Sequence, residues 1–179
     1  MSNERRTSED RRTKSYTAPE LLEEVRALRQ ELAQRRGDGA RGDGPQEDNT
    51  RYRSVVDNVV DGIITIDEKG RIESFNPAAS RILGYSANEV IGKNVSLLMP
   101  SPYHEEHGGY LESYQRTGRA QIIGIGREVT GRRQYGSQFP PDLSVGEFVE
   151  DGRRCLTGVV RDITKRKQLE EQLLQAQKM

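Results

Sequence analysis

The stretch GIITIDEKGRIESFNPAASRILGYSANEVIG, residues 62–92, carries the pattern from which the fold follows. Ile64 and Ile66 alternate with polar neighbours, Glu68-Lys69-Gly70 supplies turn residues, and RIESFNP returns as a second strand, which is a β-hairpin pattern. From Pro77 the pattern becomes helical, with proline in the first turn and Gly84 as the stop. Ser86 stands three residues before Glu89, the spacing of a capping box that opens another short helix.

On the N-terminal side, Tyr52–Val60 reads as a helix entering the hairpin. On the other side, NVSLLMP leads into PYHEEHGGYLESYQRTG, helical in its second half. The strings IIGIGREVTGRR, QFPPDLSVGEFVE and CLTGVVRDIT then read as three strands, with turns at Tyr135-Gly136 and Asp151-Gly152. Two strands, several short helices and three strands argue against a doubly wound sheet. They predict an α+β domain with a five-stranded antiparallel sheet and helices on one side.

The rest of the chain is different in kind. Residues 1–17 are polar and lack aliphatic side chains, so they are expected to be a disordered tail. Residues 18–35 read as an amphipathic helix, with Leu21, Val25, Leu28 and Leu32 forming a two-heptad seam. Residues 36–50, with RGDG starting at Arg36 and again at Arg41, read as a flexible linker. Residues 51–164 hold the domain. Residues 165–179 form a second amphipathic helix, with Leu169, Leu173 and Ala176 in line. Two narrow seams set among charges predict coiled-coil pairing on both sides of the domain, and hence a homodimer.

Composition narrows the function classes. The 179 residues carry 28 Lys and Arg against 28 Asp and Glu, so there is no global pull toward nucleic acid. A single cysteine, Cys155, excludes an intramolecular disulfide framework. No apolar run approaches the length of a membrane span, and the first residues have no signal-peptide pattern. The expectation is a cytoplasmic protein with neither a membrane nor a nucleic-acid partner. No nucleophile–base pair, paired carboxylates or phosphate loop emerges, so an enzyme is not expected. Gly124-Ile125-Gly126 lies in a strand pattern and does not open a helix, which removes a nucleotide-loop reading.

Val55 to Pro100, with Asn76-Pro77-Ala78-Ala79, and the closing GVVRDIT (Gly158 to Thr164) resemble the PAS sensory fold. The central strings LLMPSPYHEEHGGYLESYQRTG and IIGIGREVTGRRQYGSQFPPDLSVGE resemble the haem-binding PAS domains of FixL-type oxygen sensors. The resemblance implies haem b with His107 as the axial iron ligand and Arg127 as the distal arginine. It also implies that Ile122, Leu143 and Val145 crowd the ligand side, with Tyr110 and Tyr114 nearby. Neutral imidazole is a good iron ligand, and a single axial histidine leaves the other face open to a diatomic gas, oxygen first. Tyr110, Leu111 and Tyr114 follow His107 at i+3, i+4 and i+7, one helix face. Arg127 offers several donors on a rigid fork, suited to a polarised gas ligand or a haem propionate.

The sequence also departs from the family. Gly108-Gly109 follow His107 and predict a weak point in its helix. Ser113 and Gln121 are neutral where the family can place basic side chains. The final string resembles the linker into the dimerisation helices of PAS-coupled histidine kinases. No phospho-acceptor segment or ATP-binding glycine boxes follow it. The implied output is therefore a histidine kinase or other signalling partner, with this chain as a sensor region or a stand-alone module. A haem-free PAS interaction module, with or without another apolar ligand, is the alternative.

Overall fold

The structure, a computed structural model, describes residues 18–37, 44–117 and 129–179. Helices α1 (Ala18–Gly37) and α2 (Gly44–Asn58) precede strands β1 (Gly62–Ile66) and β2 (Ile72–Phe75). Helices α3 (Pro77–Leu83) and α4 (Ala87–Val90), a 3-10 turn (Val95–Leu98) and helix α5 (Tyr103–Thr117) follow. The remainder is β3 (Gly131–Arg132), β4 (Gln138–Phe139), β5 (Pro141–Glu150), β6 (Arg153–Asp162) and helix α6 (Thr164–Gln177).

The α+β class is as read from the sequence. The sheet is antiparallel in the order β2-β1-β6-β5. It has four strands among the described residues, where five were expected. The first of the three C-terminal strand patterns lies mostly outside the described residues. Its end, β3, pairs with β4 instead of joining the main sheet. The Gly136 amide donates to the carbonyl of Arg133, and the Arg133 amide to Ser137, so the chain folds back at once. Pro140 then separates β4 from β5, which itself starts at Pro141, because proline donates no ladder hydrogen bond.

Two other expectations change. Helix α2 begins at Gly44, inside the expected linker, with Pro45 in its first turn, where a missing amide costs nothing. Helices also cover both faces of the sheet, not one. The seam of α1 is spent within its own chain: Leu21 and Val25 are buried with Leu22, Val56, Ile63 and Val159. Leu22 fits over Gly146 so closely that a Cβ there would lie 3.1 Å from its methyl. Leu21 and Val25, half of the seam expected to form a coiled coil, are thus packed on their own sheet. Leu28 is only half-buried, and the Leu32 side chain lies outside the described set.

The inner face of the sheet holds the main core, with Ile64, Ile66, Ile72, Leu83, Leu98 and Leu111 among its members. Cover on both faces explains why all five residues of β1 are buried. Asn76 ties the start of β1 to α3. Its Oδ1 accepts from the Ile63 and Ala79 amides, and its Nδ2 donates to the Val56 and Asp61 carbonyls. Every hydrogen-bonding position of a buried amide is thereby filled. Gly84, at φ +83°, closes α3 in the left-handed conformation, as its place in the sequence predicts.

Helix α6 is different: none of its residues is buried, and Leu169, Leu173 and Leu174 are more than half exposed. Among the described residues, no helix is long and apolar enough to cross a membrane.

Candidate functional site

Helix α5 lies across the inner face of the sheet. It runs unbroken through Gly108 and Gly109, against the weak point expected there. Neither glycine has a neighbour within 4 Å of a built Cβ, so both face outward and contribute nothing to packing. The opposite side holds the helix in place, with Leu111 and Tyr114 both buried in the core.

Between α5 and the sheet is an apolar cavity of about 210 Å³. His107, Tyr110 and Tyr114 line it from α5, and Leu143 and Val145 from β5. Five of the seven residues singled out in the sequence therefore meet at one place. The other two, Ile122 and Arg127, lie outside the described residues. Strand alternation explains the β5 pair: Leu143 and Val145 face the cavity, while Gly146 faces α1. Sequence reasoning missed Ile64 and Ile66 on β1, Phe139 on β4 and Leu156 on β6, which complete the wall. The alternation of Ile64 and Ile66 was a visible signal that they share a face. It gave no indication that the face borders a hollow.

His107 is the chemically distinctive group in this wall. Its Nδ1 is buried and has no hydrogen-bond partner. Burial pushes the imidazole pKa below its usual value, which keeps the ring neutral and its lone pair available. An imidazole nitrogen without a partner is costly to bury, and an iron centre would satisfy the one here. One imidazole in a mainly aliphatic and aromatic wall, with Ser113 and Thr130 as its small polar members, is donor chemistry that suits haem iron. His104, one turn earlier, is exposed, and its Nδ1 donates to the Ser96 carbonyl at 2.7 Å. Tyr110 lines the cavity with its ring while its hydroxyl donates to Glu106 at 3.0 Å.

A polar link runs from the cavity wall to α6. Arg133 lies 4.2 Å from the centroid of the Phe139 ring and donates to Asp162 at 2.8 Å and to the Ile82 carbonyl. Asp162 in turn accepts from the amide and hydroxyl of Thr164, the first residue of α6. Burial alone would raise the Asp162 pKa. The bonds from Thr164 and Arg133 outweigh burial and hold the carboxyl below its usual range. Away from the cavity lining, Arg161 on β6 grips the buried Asp61 with Nε at 2.9 Å and Nη2 at 2.7 Å. Cys155 is not part of the site. Burial first, then Glu73 and Glu150, push its thiol up to about 11, so it stays protonated.

The PAS fold family matches residues 50–163, most of the chain. The chain belongs to the PAS family. Among proteins of known role, it is 43% identical over 128 residues to the sensor protein FixL of Bradyrhizobium diazoefficiens. That match covers 72% of this chain and 25% of FixL. It is 34% identical over 126 residues to the cell-division control histidine kinase PdhS of Brucella ovis, covering 70% of this chain and 12% of PdhS. This PAS chain thus spans a quarter or less of the relatives it matches. Among solved structures, the PAS domain of an HTR-like protein from Haloarcula marismortui superposes with a TM-score of 0.56 at 23% identity. It covers 66% of this chain and 93% of that one, which supports the fold alone. The PAS domain and its kinase relatives make this a sensory signalling module.

Proposed function

We propose that this PAS domain is a haem-based sensor of a diatomic gas, oxygen first, whose output is a histidine kinase or another signalling partner. The observation that carries this reading is His107, a neutral imidazole with a buried nitrogen lacking any hydrogen-bond partner on the wall of an apolar cavity. The similarity to FixL supports placing the domain in the haem branch. Haem b, which His107 would hold, would supply the iron chemistry that binds a gas.

The chain's own residues do the rest. Tyr110 and Tyr114 would pack against the bound group, and Leu143 and Val145 would narrow the space for the gas and exclude water. The resemblance gives Ile122 the same crowding role and Arg127 that of hydrogen-bond donor to the gas. A change of wall shape at Phe139 is felt by Arg133, and through Asp162 by the first residue of α6. In this division, residues 51–164 sense and residues 165–179 transmit. The exposed leucines of α6 pair with those of a second copy, giving a cytoplasmic homodimer that signals without catalysis of its own.

Haemin titration of the apoprotein tests this directly. A Soret band that saturates at one haemin per chain, and is lost in His107→Ala, is the expected result. Absence of the band rejects haem, and a band unchanged in His107→Ala rejects the ligand assignment. The cavity volume of about 210 Å³ favours a second reading, a haem-free PAS module holding a smaller apolar molecule. A protein that takes up no haemin decides for it.

A further inference from the structure

Gly131 has no backbone reason to be a glycine. Its φ lies outside the left-handed region that Gly70, Gly84, Gly92, Gly136 and Gly152 occupy, so other residues could adopt its conformation. What keeps a side chain out is a contact. Gly131 on β3 stands opposite Phe139 on β4. A Cβ at 131 would lie 2.5 Å from Cε1 and 2.7 Å from Cζ of that ring. Carbon atoms pack best at about 3.5 Å or more, so a methyl there forces the ring to move.

The ring has little choice of direction. Phe139 is 3% exposed, so it is closed off from solvent. Arg133 covers one face at 4.2 Å from the centroid and is itself held by Asp162 and the Ile82 carbonyl. The open space beside the ring is the cavity, which Phe139 and Gly131 both line. A methyl at 131 therefore drives the ring into the hollow. With no side chain at 131, the ring lies back against β3 and leaves the hollow its width. Gly158 on β6 also lines the cavity but differs in this respect. A Cβ there would meet nothing nearer than the Leu143 methyl at 3.7 Å, an ordinary contact, so it would take up only its own volume.

We propose that the Gly131–Phe139 pair is a specificity determinant of the cavity, setting how wide an apolar ligand fits on the side of β3 and β4. The proposal rests on the cavity being a ligand site, and adds which residues limit the size of what it holds. An apolar cavity of roughly 150 Å³ is enough for benzene, and this one measures about 210 Å³. Aromatic hydrocarbons of one and two rings are therefore suitable gauges of its width.

Benzene and naphthalene are titrated separately into the haem-free protein, and the methyl resonances of Leu143 and Val145 report binding. Both should bind the native protein. Gly131→Ala should weaken naphthalene about tenfold more than benzene, an ordinary penalty for overpacking by a methyl group. Phe139→Leu should shift the preference the other way, toward naphthalene, and provides the test by itself if Gly131→Ala does not fold. The double variant should bind naphthalene to within about twofold of Phe139→Leu alone, because the methyl then meets no ring. Gly158→Ala is the control: it adds the same methyl without touching Phe139, so Phe139→Leu leaves its effect unchanged. Equal weakening of both probes in Gly131→Ala overturns the determinant, as does a double variant no better than Gly131→Ala. A native protein that binds neither probe also overturns it, and the haem reading then stands or falls on haemin uptake alone.

Discussion

Arg133 donates to Asp162 at 2.8 Å while its guanidinium carbon lies 4.2 Å from the centroid of the Phe139 ring. One side chain therefore touches both the cavity wall and the carboxylate that accepts from Thr164 at the start of α6. Arginine suits this position because a planar cation can stack on an aromatic face and still present a fork of donors to a carboxylate.

Arg133→Ala removes the stacking and one charge-assisted hydrogen bond, and should cost about 2 kcal/mol in a urea titration. The start of α6 should lose helicity in the same variant, because Asp162 is no longer fixed. Arg133→Lys should recover only part of the loss, since an ammonium lacks the fork. A lysine variant as stable as the native protein would count against the stacked geometry.

The Asp162 carboxyl gives the pH dependence. Its pKa in the folded protein is below the reference value of 3.8, so the unfolded chain binds more protons between the two values. This contribution to stability is complete above 3.8 and disappears as the pH falls through the lower folded value. The Thr164 amide resonance should therefore keep its native position at pH 4 and shift only in stronger acid. In Asp162→Asn that acid-induced shift should vanish; a shift that persists would assign the titration to another group.

Leu21 is 2% exposed and packs against the sheet of its own chain. Leu21→Ala should lower stability by about 3 kcal/mol through lost burial and the cavity left behind. The loss should be the same at every protein concentration, because the contact is intramolecular. A loss that appears only where dimers form would return α1 to the role of a coiled-coil helix.

Leu169 and Leu173 are 51% and 64% exposed on α6 and make no core. Replacing both by glutamate should abolish a dimer seen by sedimentation yet alter monomer stability by less than about 0.5 kcal/mol, the usual range for surface sites. A dimer that survives the double substitution would place the interface elsewhere.

Local signals accounted for much of this PAS domain. The hairpin over residues 62–75, the Gly84 stop and the Ser86–Glu89 capping box depend on neighbours a few residues apart, so period and turn chemistry revealed them. The same is true of the face shared by His107, Leu111 and Tyr114, which helical spacing fixes by itself. Leu143 and Val145, two residues apart, likewise share a strand face through alternation alone.

What remained depended on contacts distant in the chain. An apolar seam records which residues avoid water, not what covers them. The seams of α1 and α6 read alike, yet Leu21 and Val25 lie on the sheet while Leu169 and Leu173 remain exposed. Only packing could separate them, because the deciding partner of α1 is the outer sheet face at Ile63 and Val159, with Gly146 open to Leu22. The Arg133–Asp162 bond spans 29 residues and the Tyr114–Glu147 bond 33. Short-range patterning was enough to specify the hairpin, the short helices and the face on which His107 stands. That this face borders a cavity, and that polar bonds connect the cavity to α6, followed from long-range packing, which no local pattern encodes.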